Sequence, residues 1–346
     1  MFYKRNYSMR CLKCIKGLAF ACFVLHIFAA TGQETASSIH LKGNIRKLYS
    51  YTYLAKDIVI NKNTIVSYEK EKVLSHIDYI YEKNGILLAE NRFNNHDVID
   101  RSSIYTYEND RLVDHTRALA GKYQISRTAY KYDKEGRKIQ SLVYDGKDSL
   151  ENTIVYKYDS LNNLINEKTY NQINWLITEK RYQYDDNGNC ILLENLKTGR
   201  LVNKPYREIQ KFDDRNNLIY KSFAFEDSLN WEYTARYNQI DSLIYEEVKD
   251  GKGQIISYSE LKYNKYNKRI LLKQYKQGAV IPEIETHYKY DKKGDLSTET
   301  VYTPNKKDPF LTRTYFYDDR GNWIYRLEKD KITERNILHY RRIIYY

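Results

Sequence analysis

Apolar and polar residues alternate over short segments along most of this chain, and turn-forming residues separate the segments. Between positions 153 and 158, for example, Ile154, Tyr156 and Tyr158 alternate with smaller or charged side chains. A period of two predicts a strand with one buried face, and aromatic and β-branched residues favour a pleated sheet. No segment of ten or more residues after position 32 has a convincing helical period. The pattern therefore predicts an all-β protein.

The strands belong to a repeat. An aromatic residue followed by Asp, Asn or Glu recurs about every 26 residues in ten copies, which is typical of a repeat array. Three positions after the acceptor-bearing residue, nine of the ten copies have Gly, Asn or Asp, which tolerate positive φ in a tight turn. We interpret these as structural residues, represented by Tyr132, Asp133, Gly136, Tyr158, Asp159, Asn162, Tyr184, Asp185, Gly188, Tyr290, Asp291, Gly294, Tyr317, Asp318 and Gly321.

A second turn follows half a period later, so each unit is expected to be an antiparallel hairpin that continues into the next. Ten units give about twenty strands, and open sheets beyond about ten strands twist, split or curl. The expectation is an elongated, twisted or partly rolled superhelical sheet. Tyrosine rings would supply the buried area on one face while their hydroxyls remain in water.

The array is expected to span residues 67–346. Residues 33–66 match the repeat poorly, although Leu48–Tyr53 could form an opening strand. The chain ends with half a unit, Ile337–Tyr340 and Ile343–Tyr346, which stops where another turn would begin.

The first 32 residues have the features of a secretory signal peptide. Five Lys or Arg residues precede an apolar run from Gly17 to Ala30, and small residues at Ala30 and Gly32 allow cleavage before Gln33. The apolar run is short for a membrane span, so no transmembrane span is expected after cleavage, although an uncleaved anchor is an alternative. A lipoprotein with Cys22 as the lipidated residue is less favoured, because Leu is expected three positions before such a cysteine. The protein is therefore expected in the periplasm, on the cell surface or outside the cell.

Charge and cysteine content narrow the class of protein. Cleavage after Gly32 leaves 52 Lys and Arg against 45 Asp and Glu, a net charge of +7 without a polybasic run, so no nucleic-acid partner is expected. Only Cys190 remains, which excludes a disulfide-stabilised scaffold after cleavage. Cys190 occupies a repeat position held elsewhere by Leu164 or Trp323 and is expected to be a small buried hydrophobe.

The repeat resembles the YD repeat of the RHS family. The segments Tyr130–Arg137, Tyr182–Ile191, Tyr288–Leu296 and Tyr315–Ile324 carry the resemblance, and the pattern extends over residues 79–324. In that family such repeats form strips of β-hairpins that wind into hollow shells, which can enclose toxin domains or mediate adhesion. This chain has a longer unit, several degenerate copies and no toxin or autoprotease domain after the array, so the resemblance implies the hairpin array and not toxin delivery.

The sequence offers little chemistry. The histidines form no metal-binding or protease motif, and adjacent carboxylates such as Asp185 and Asp186 lie in recurring turns, so no catalytic residue, metal or cofactor is expected. Trp175, Trp231 and Trp323 are candidates for stacking on a ligand, although each could equally be a packed sheet position.

Two functions follow from these patterns. The first is an exported, non-catalytic module that binds or adheres to an envelope polysaccharide or a protein partner. The alternative is a structural scaffold or shell related to RHS systems, which a closed internal cavity would favour. An enzyme is the third and least favoured class.

Overall fold

The computed structural model describes residues 41–61, 64–197, 205–304 and 306–346. Within these ranges the chain consists of strands joined by turns, without a helix, which confirms the all-β class and the hairpin meander. The strands are β1 (Ile45–Asn61), β2 (Thr64–Tyr81), β3 (Leu87–Phe93), β4 (Ile99–Glu108), β5 (Arg111–Leu119), β6 (Tyr123–Tyr132), β7 (Lys138–Asp145), β8 (Leu150–Tyr158), β9 (Leu164–Asn171), β10 (Leu176–Tyr184), β11 (Cys190–Lys197), β12 (Tyr206–Phe212), β13 (Leu218–Phe225), β14 (Ser228–Tyr237), β15 (Leu243–Asp250), β16 (Ile255–Tyr263), β17 (Arg269–Lys276), β18 (Ile284–Tyr290), β19 (Leu296–Tyr302), β20 (Leu311–Tyr317), β21 (Trp323–Asp330) and β22 (Arg335–Tyr345).

The sheet is closed, and the expectation of an elongated or superhelical sheet is wrong. Every strand pairs with its neighbours in the chain, and β1 pairs antiparallel with both β2 and β22. The 22 strands therefore form one barrel. At a spacing of about 4.8 Å the ring measures about 105 Å around. Since about eight strands make a barrel that its own side chains fill, this ring encloses a wider lumen.

The first and last strands close the ring by pairing with each other, as the two strands of a hairpin do. In a regular hairpin, Tyr158 lies opposite Leu164 while Lys157 lies opposite Asn166, which places a β-bulge beside the turn. The seam has the same offset, because Tyr345 lies opposite Ile45 and Ile344 lies opposite Lys47. The final half-unit and the opening strand, which contains Leu48–Tyr53, together replace one further hairpin.

The two faces of the sheet have different side chains. One face carries the paired tyrosines of seven of the ten units, such as Tyr156 and Tyr158. The residue between these two positions is polar and exposed in eight consecutive units; these residues are Thr106, Lys131, Lys157, Gln183, Lys211, Arg236, Lys262 and Lys289. Burial raises the pKa of Tyr156, and likewise of Tyr315, to about 12. Because side chains converge on a concave surface and diverge on a convex one, we assign the tyrosine face to the lumen and the other to the outside.

The most buried residues lie on both faces of the seam. On the lumenal side Ile45, Leu48, Tyr81 and Leu87 pack together. On the outer side, residues 55–61 and 64–73 of the β1–β2 hairpin extend beyond the pairing with β22 and fold back over the sheet. This hairpin arm packs its Ala55 and Ile65 against the wall residues Phe316, Leu327 and Leu338. In the eight preceding units the position equivalent to Phe316 is polar and exposed. The residue type therefore changes at the place where the arm covers the sheet.

Although Tyr123 and Tyr266 are exposed, many tyrosine hydroxyls are bonded within the protein, contrary to the expectation that they remain in water. Eight of them donate hydrogen bonds of 2.7–3.1 Å to a backbone carbonyl 19–21 residues earlier in the chain, at the start of the preceding unit's second strand. Tyr158, for example, donates to the carbonyl of Lys138 at 2.8 Å. This hydroxyl ladder joins eight of the hairpins to the one before.

Candidate functional site

The first turns of all units lie at one end of the barrel, and their acidic residues hold the turns together. The Oδ1 atom of Asp185 accepts hydrogen bonds from the backbone N–H groups of Asn187 and Asn189, at 3.0 and 2.8 Å. The side chain of Asn189 donates to Oδ2, and these bonds lower the pKa of the Asp185 carboxyl. The third residue after the acceptor position, such as Gly188 or Asn162, has positive φ. The carboxylates of this end therefore act within their own turns.

Polar contacts also connect neighbouring first turns. The Asn189 amide donates to Asn216 Oδ1 at 3.0 Å, and the Asn217 amide donates to Asp241 at 2.8 Å. At the seam, Asn322 bonds both the N–H and the carbonyl of Lys42. Many polar side chains of this end therefore already have partners, although Leu161, Ile240 and Tyr266 are exposed in three of its turns.

The opposite end, where the second turns lie, has a different surface. Large apolar side chains are exposed at most of its described turns, and we call this set the second-turn rim. Its members are Val98, Leu119, Tyr123, Leu150, Ile173, Trp175, Phe225, Leu229, Ile255, Val280, Ile281 and Ile332. Consecutive second turns are two strands apart, or about 10 Å, so the apolar residues recur along the edge of the barrel. A surface of this composition, interspersed with charged residues, is typical of an interaction site.

The three predicted tryptophans lie in different places. Trp175 ends the turn that Asn171 organises, and its side chain is 71% exposed on the rim. Trp231 stacks on Phe223 within the sheet, with ring centroids 5.9 Å apart. Trp323 lies at the start of β21 under the guanidinium of Arg341, whose central carbon is 3.6 Å from the indole centroid. The structure therefore does not bring them together, and Trp175 is the one that belongs to the rim.

A cavity of about 350 Å³ interrupts the rim beside Ile281. Its apolar lining includes Pro282 and Tyr302, while Glu285 bridges Lys273 at 3.6 Å and His287 at 2.6 Å on its floor. The cavity can accept an apolar side chain and offers charged groups at its base. The cavity was not predicted from the sequence because residues 277–283 and residues 303, 304 and 306–310 are neighbours only after the strands pair.

The second-turn rim is visible in the sequence as apolar residues within turns. Turns usually expose polar residues, yet Ile173, Val280 and Ile332 are apolar and lie inside second turns. The period-two alternation predicts which residues face each side of the barrel wall, but it carries no information about the turns at the edge.

Cys190 starts β11 opposite Tyr184, in the repeat position expected for it. It is half-buried, and burial raises the pKa of its thiol. In the part of the chain that the structure describes, no group of three or more His, Cys, Asp or Glu side chains is placed to hold a metal ion. Nor do these residues include a helix long and apolar enough to cross a membrane.

Comparison with known proteins identifies similar folds but no family. No family model and no curated protein matches the chain. Among solved structures, a chain of the TcdB2–TccC3–Cdc42 complex is 14% identical with a TM-score of 0.51, over 88% of this chain and 16% of that one. A chain of the Photorhabdus luminescens Tc holotoxin pore is 14% identical with a TM-score of 0.47, over 82% of this chain and 15% of that one.

A porin-like protein from Bacteroides uniformis is 10% identical with a TM-score of 0.31, over 88% of this chain and 99% of that one. At such identities a likeness concerns the fold alone. Among these three matches, the chain of the TcdB2–TccC3–Cdc42 complex has a TM-score above 0.5. That match indicates a shared repeat-rich β-fold, consistent with the repeat resemblance, over a small fraction of a much longer chain.

Proposed function

We propose that this protein is an exported, non-catalytic binding module whose second-turn rim contacts a protein partner of the cell envelope. The observation that carries the proposal is the periodic exposure of large apolar side chains along one edge of a rigid ring. Trp and Tyr are enriched at the centres of protein interfaces, and the rim presents Trp175 and Tyr123 there. The cavity beside Ile281 would accept an anchoring side chain.

The two ends of the barrel support this assignment by contrast. The first-turn end uses its polar groups in hydrogen bonds within and between turns, so few are available for a ligand. The rim leaves apolar area in contact with water, and covering this area with a partner would be favourable. The closed sheet holds successive turns at fixed spacing, so a partner would meet a preorganised surface.

Binding to isolated cell envelopes tests the proposal. The double variant Tyr123→Ala/Trp175→Ala removes the two rim aromatics, and we expect at least a tenfold loss of affinity for intact envelopes. Tyr266→Ala is the matched control, because Tyr266 is 70% exposed at the first-turn end. Treating the envelopes with protease should abolish binding, whereas periodate oxidation of glycans should leave it unchanged.

Equal affinities for the rim variant and the parent protein would reject the rim as the contact surface. Loss of binding after periodate but not after protease would replace the protein partner with a polysaccharide.

The closed sheet favours the second candidate, a shell related to RHS systems. Its support is the ring formed by β1 and β22, together with a fold similar to a chain of the TcdB2–TccC3–Cdc42 complex. A shell would protect material in its lumen, so a polypeptide that copurifies and resists protease until the ring unfolds is the expected sign. A barrel that purifies without such material, and whose lumen admits protease, would exclude this role.

A further inference from the structure

Two arginines lie side by side on the lumenal face near the seam. Arg326 on β21 is opposite His339 on β22, and Arg341 follows His339 by two residues on the same face. Both guanidinium groups lie over the indole of Trp323, with central carbons 5.8 and 3.6 Å from its centroid. The two cations therefore share one aromatic surface.

The two arginines are only partly neutralised by the protein. Arg326 contacts Glu328 at 2.8 Å and His339 at 2.9 Å through Nη2, while its buried Nε has no hydrogen-bond partner. Within the described ranges, no carboxylate lies within 4.0 Å of the Arg341 guanidinium, and its buried Nε likewise lacks an acceptor. Burial and the neighbouring Arg326 together lower the pKa of Arg341 to about 10.

Other lumenal cations have a different arrangement. Lys221 pairs with Glu208 at 2.7 Å, and Arg313 pairs with Glu299 at 3.1 Å. Lys138 lies over the rings of Tyr130 and Tyr156, but the charge that acts on it is the carboxylate of Glu167. Arg341 instead has a second cation beside it, and half-buried like charges are unfavourable unless an anion compensates them.

The guanidinium of Arg341 stacks on Trp323, and its buried Nε has no acceptor within the described residues. A guanidinium that stacks on an aromatic ring uses its face, while its N–H donors lie in the plane and point outward. Arg326 likewise has Nε and Nη1 outside its contacts with Glu328 and His339. Planar forks of this kind bind carboxylate, sulfate and phosphate oxygens in a bidentate manner.

We propose that Arg326 and Arg341 form an oxyanion-binding site in the lumen, with Trp323 as its floor. The ligand class is a carboxylate, sulfate or phosphate group, either as a free ion or as part of a larger acidic molecule. This site is distinct from the second-turn rim, because it lies on the lumenal face and near the opposite end of the strands.

Titration of the full mature chain with sodium sulfate, sodium phosphate, sodium glucuronate and neutral glucose tests the site. Sodium chloride maintains constant ionic strength, and calorimetry and tryptophan fluorescence report binding. Arg341→Gln removes the charge, and Arg342→Gln is the matched control because Arg342 is the next residue and lies exposed on the outer face. Arg341→Lys keeps the charge but not the fork.

We expect saturable binding of at least one oxyanion, no binding of glucose, and a higher thermal midpoint with that oxyanion than with chloride. Arg341→Gln should weaken binding at least tenfold and Arg341→Lys at least threefold, whereas Arg342→Gln should stay within twofold of the parent. Glucuronate binding without sulfate or phosphate binding would indicate a sugar acid; binding of all three would indicate the oxyanion group alone.

The absence of saturable oxyanion binding by the parent chain would overturn the proposal. So would equal affinities of the parent and Arg341→Gln. Should Arg341→Gln fail to fold, an unchanged affinity of Arg341→Lys would overturn it instead.

Discussion

At the scale of single residues, one carboxylate connects the cationic side chains on the lumenal face near the seam. Glu328 accepts from His339 at 3.0 Å, and the guanidinium groups of Arg326 and Arg313 lie 2.8 and 3.4 Å from its oxygens. The hydrogen bond from His339, opposed by burial and aided by the two arginines, lowers the pKa of Glu328 to about 2. The ionised carboxylate therefore contacts one side chain from each of three strands, β20, β21 and β22.

This shift predicts how stability depends on pH. The usual pKa of Glu328 is 4.5, so its folded-state value is depressed. Its stabilising contribution is present above about pH 4.5 and is lost as the pH falls towards 2. We expect about 1–3 kcal/mol, seen as a shrinking difference in unfolding free energy between the parent and Glu328→Gln over that range. Glu151→Gln, an exposed carboxylate, is the control, and a difference that stays constant with pH would contradict the prediction.

At the scale of elements, the hydroxyl ladder explains why tyrosine and not phenylalanine recurs beside the turn. The β-bulge next to each turn leaves a carbonyl at the start of the second strand, and the hydroxyl of the following unit reaches it. Phe212 occupies the position in one unit and has no hydroxyl to donate. Eight hairpins are thus joined to their predecessors by a side chain as well as by strand pairing.

Removing three hydroxyls tests the ladder. The variant Tyr132→Phe/Tyr158→Phe/Tyr184→Phe loses bonds of 2.7, 2.8 and 2.9 Å. Each lost hydrogen bond should lower the unfolding free energy by about 1 kcal/mol. Urea denaturation should therefore give an unfolding free energy about 3 kcal/mol below that of the parent protein. Tyr266→Phe, at an exposed turn, should change stability by less than about 0.5 kcal/mol. A triple variant as stable as this control would show that the hydroxyls do not contribute.

At the scale of the whole molecule, closure gives the repeat array a seam that no single unit contains. Asn322 is 2% exposed there, and it accepts from the Lys42 N–H at 2.6 Å and donates to the Lys42 carbonyl at 2.9 Å. Its amide also contacts the Tyr345 hydroxyl at 2.8 Å. An open repeat array can unfold from its ends, whereas this ring must first separate β1 from β22.

The seam can be tested with equivalent residues in two units. Asn322 and Asn163 both follow the turn carboxylate by four positions, but Asn163 contacts only its own turn through Asp159 Oδ2 at 3.0 Å. Asn322→Ala should lower the unfolding free energy by about 2–4 kcal/mol, because it removes both hydrogen bonds to the Lys42 backbone and the bond to the Tyr345 hydroxyl. Asn163→Ala should cost less and leave the seam intact. Hydrogen exchange of β1 and β22 amides distinguishes the two, and equal protection in both variants would contradict a role for Asn322 in closure.

The local structure was accessible from the sequence because it depends on contacts within one unit. Alternation defined the strands, and positions such as Gly188 and Asn162 marked turns that adopt positive φ. The hydroxyl ladder was not anticipated, since a hydroxyl at Tyr158 and a carbonyl at Lys138 meet across 20 residues. The second-turn rim was also missed, although its apolar turn residues are visible in the sequence.

The sequence by itself determined the secondary structure, the repeat period and the turn chemistry, because these follow from side-chain alternation and short-range hydrogen bonds. Only the tertiary structure decided that the sheet closes, since closure depends on a small bend repeated at every bulge and on the pairing of two half-units at opposite ends of the chain. The same closure brought Arg326 and Arg341 together over Trp323 and placed the hairpin arm on Phe316. Such contacts arise from accumulated curvature, which no single repeat specifies.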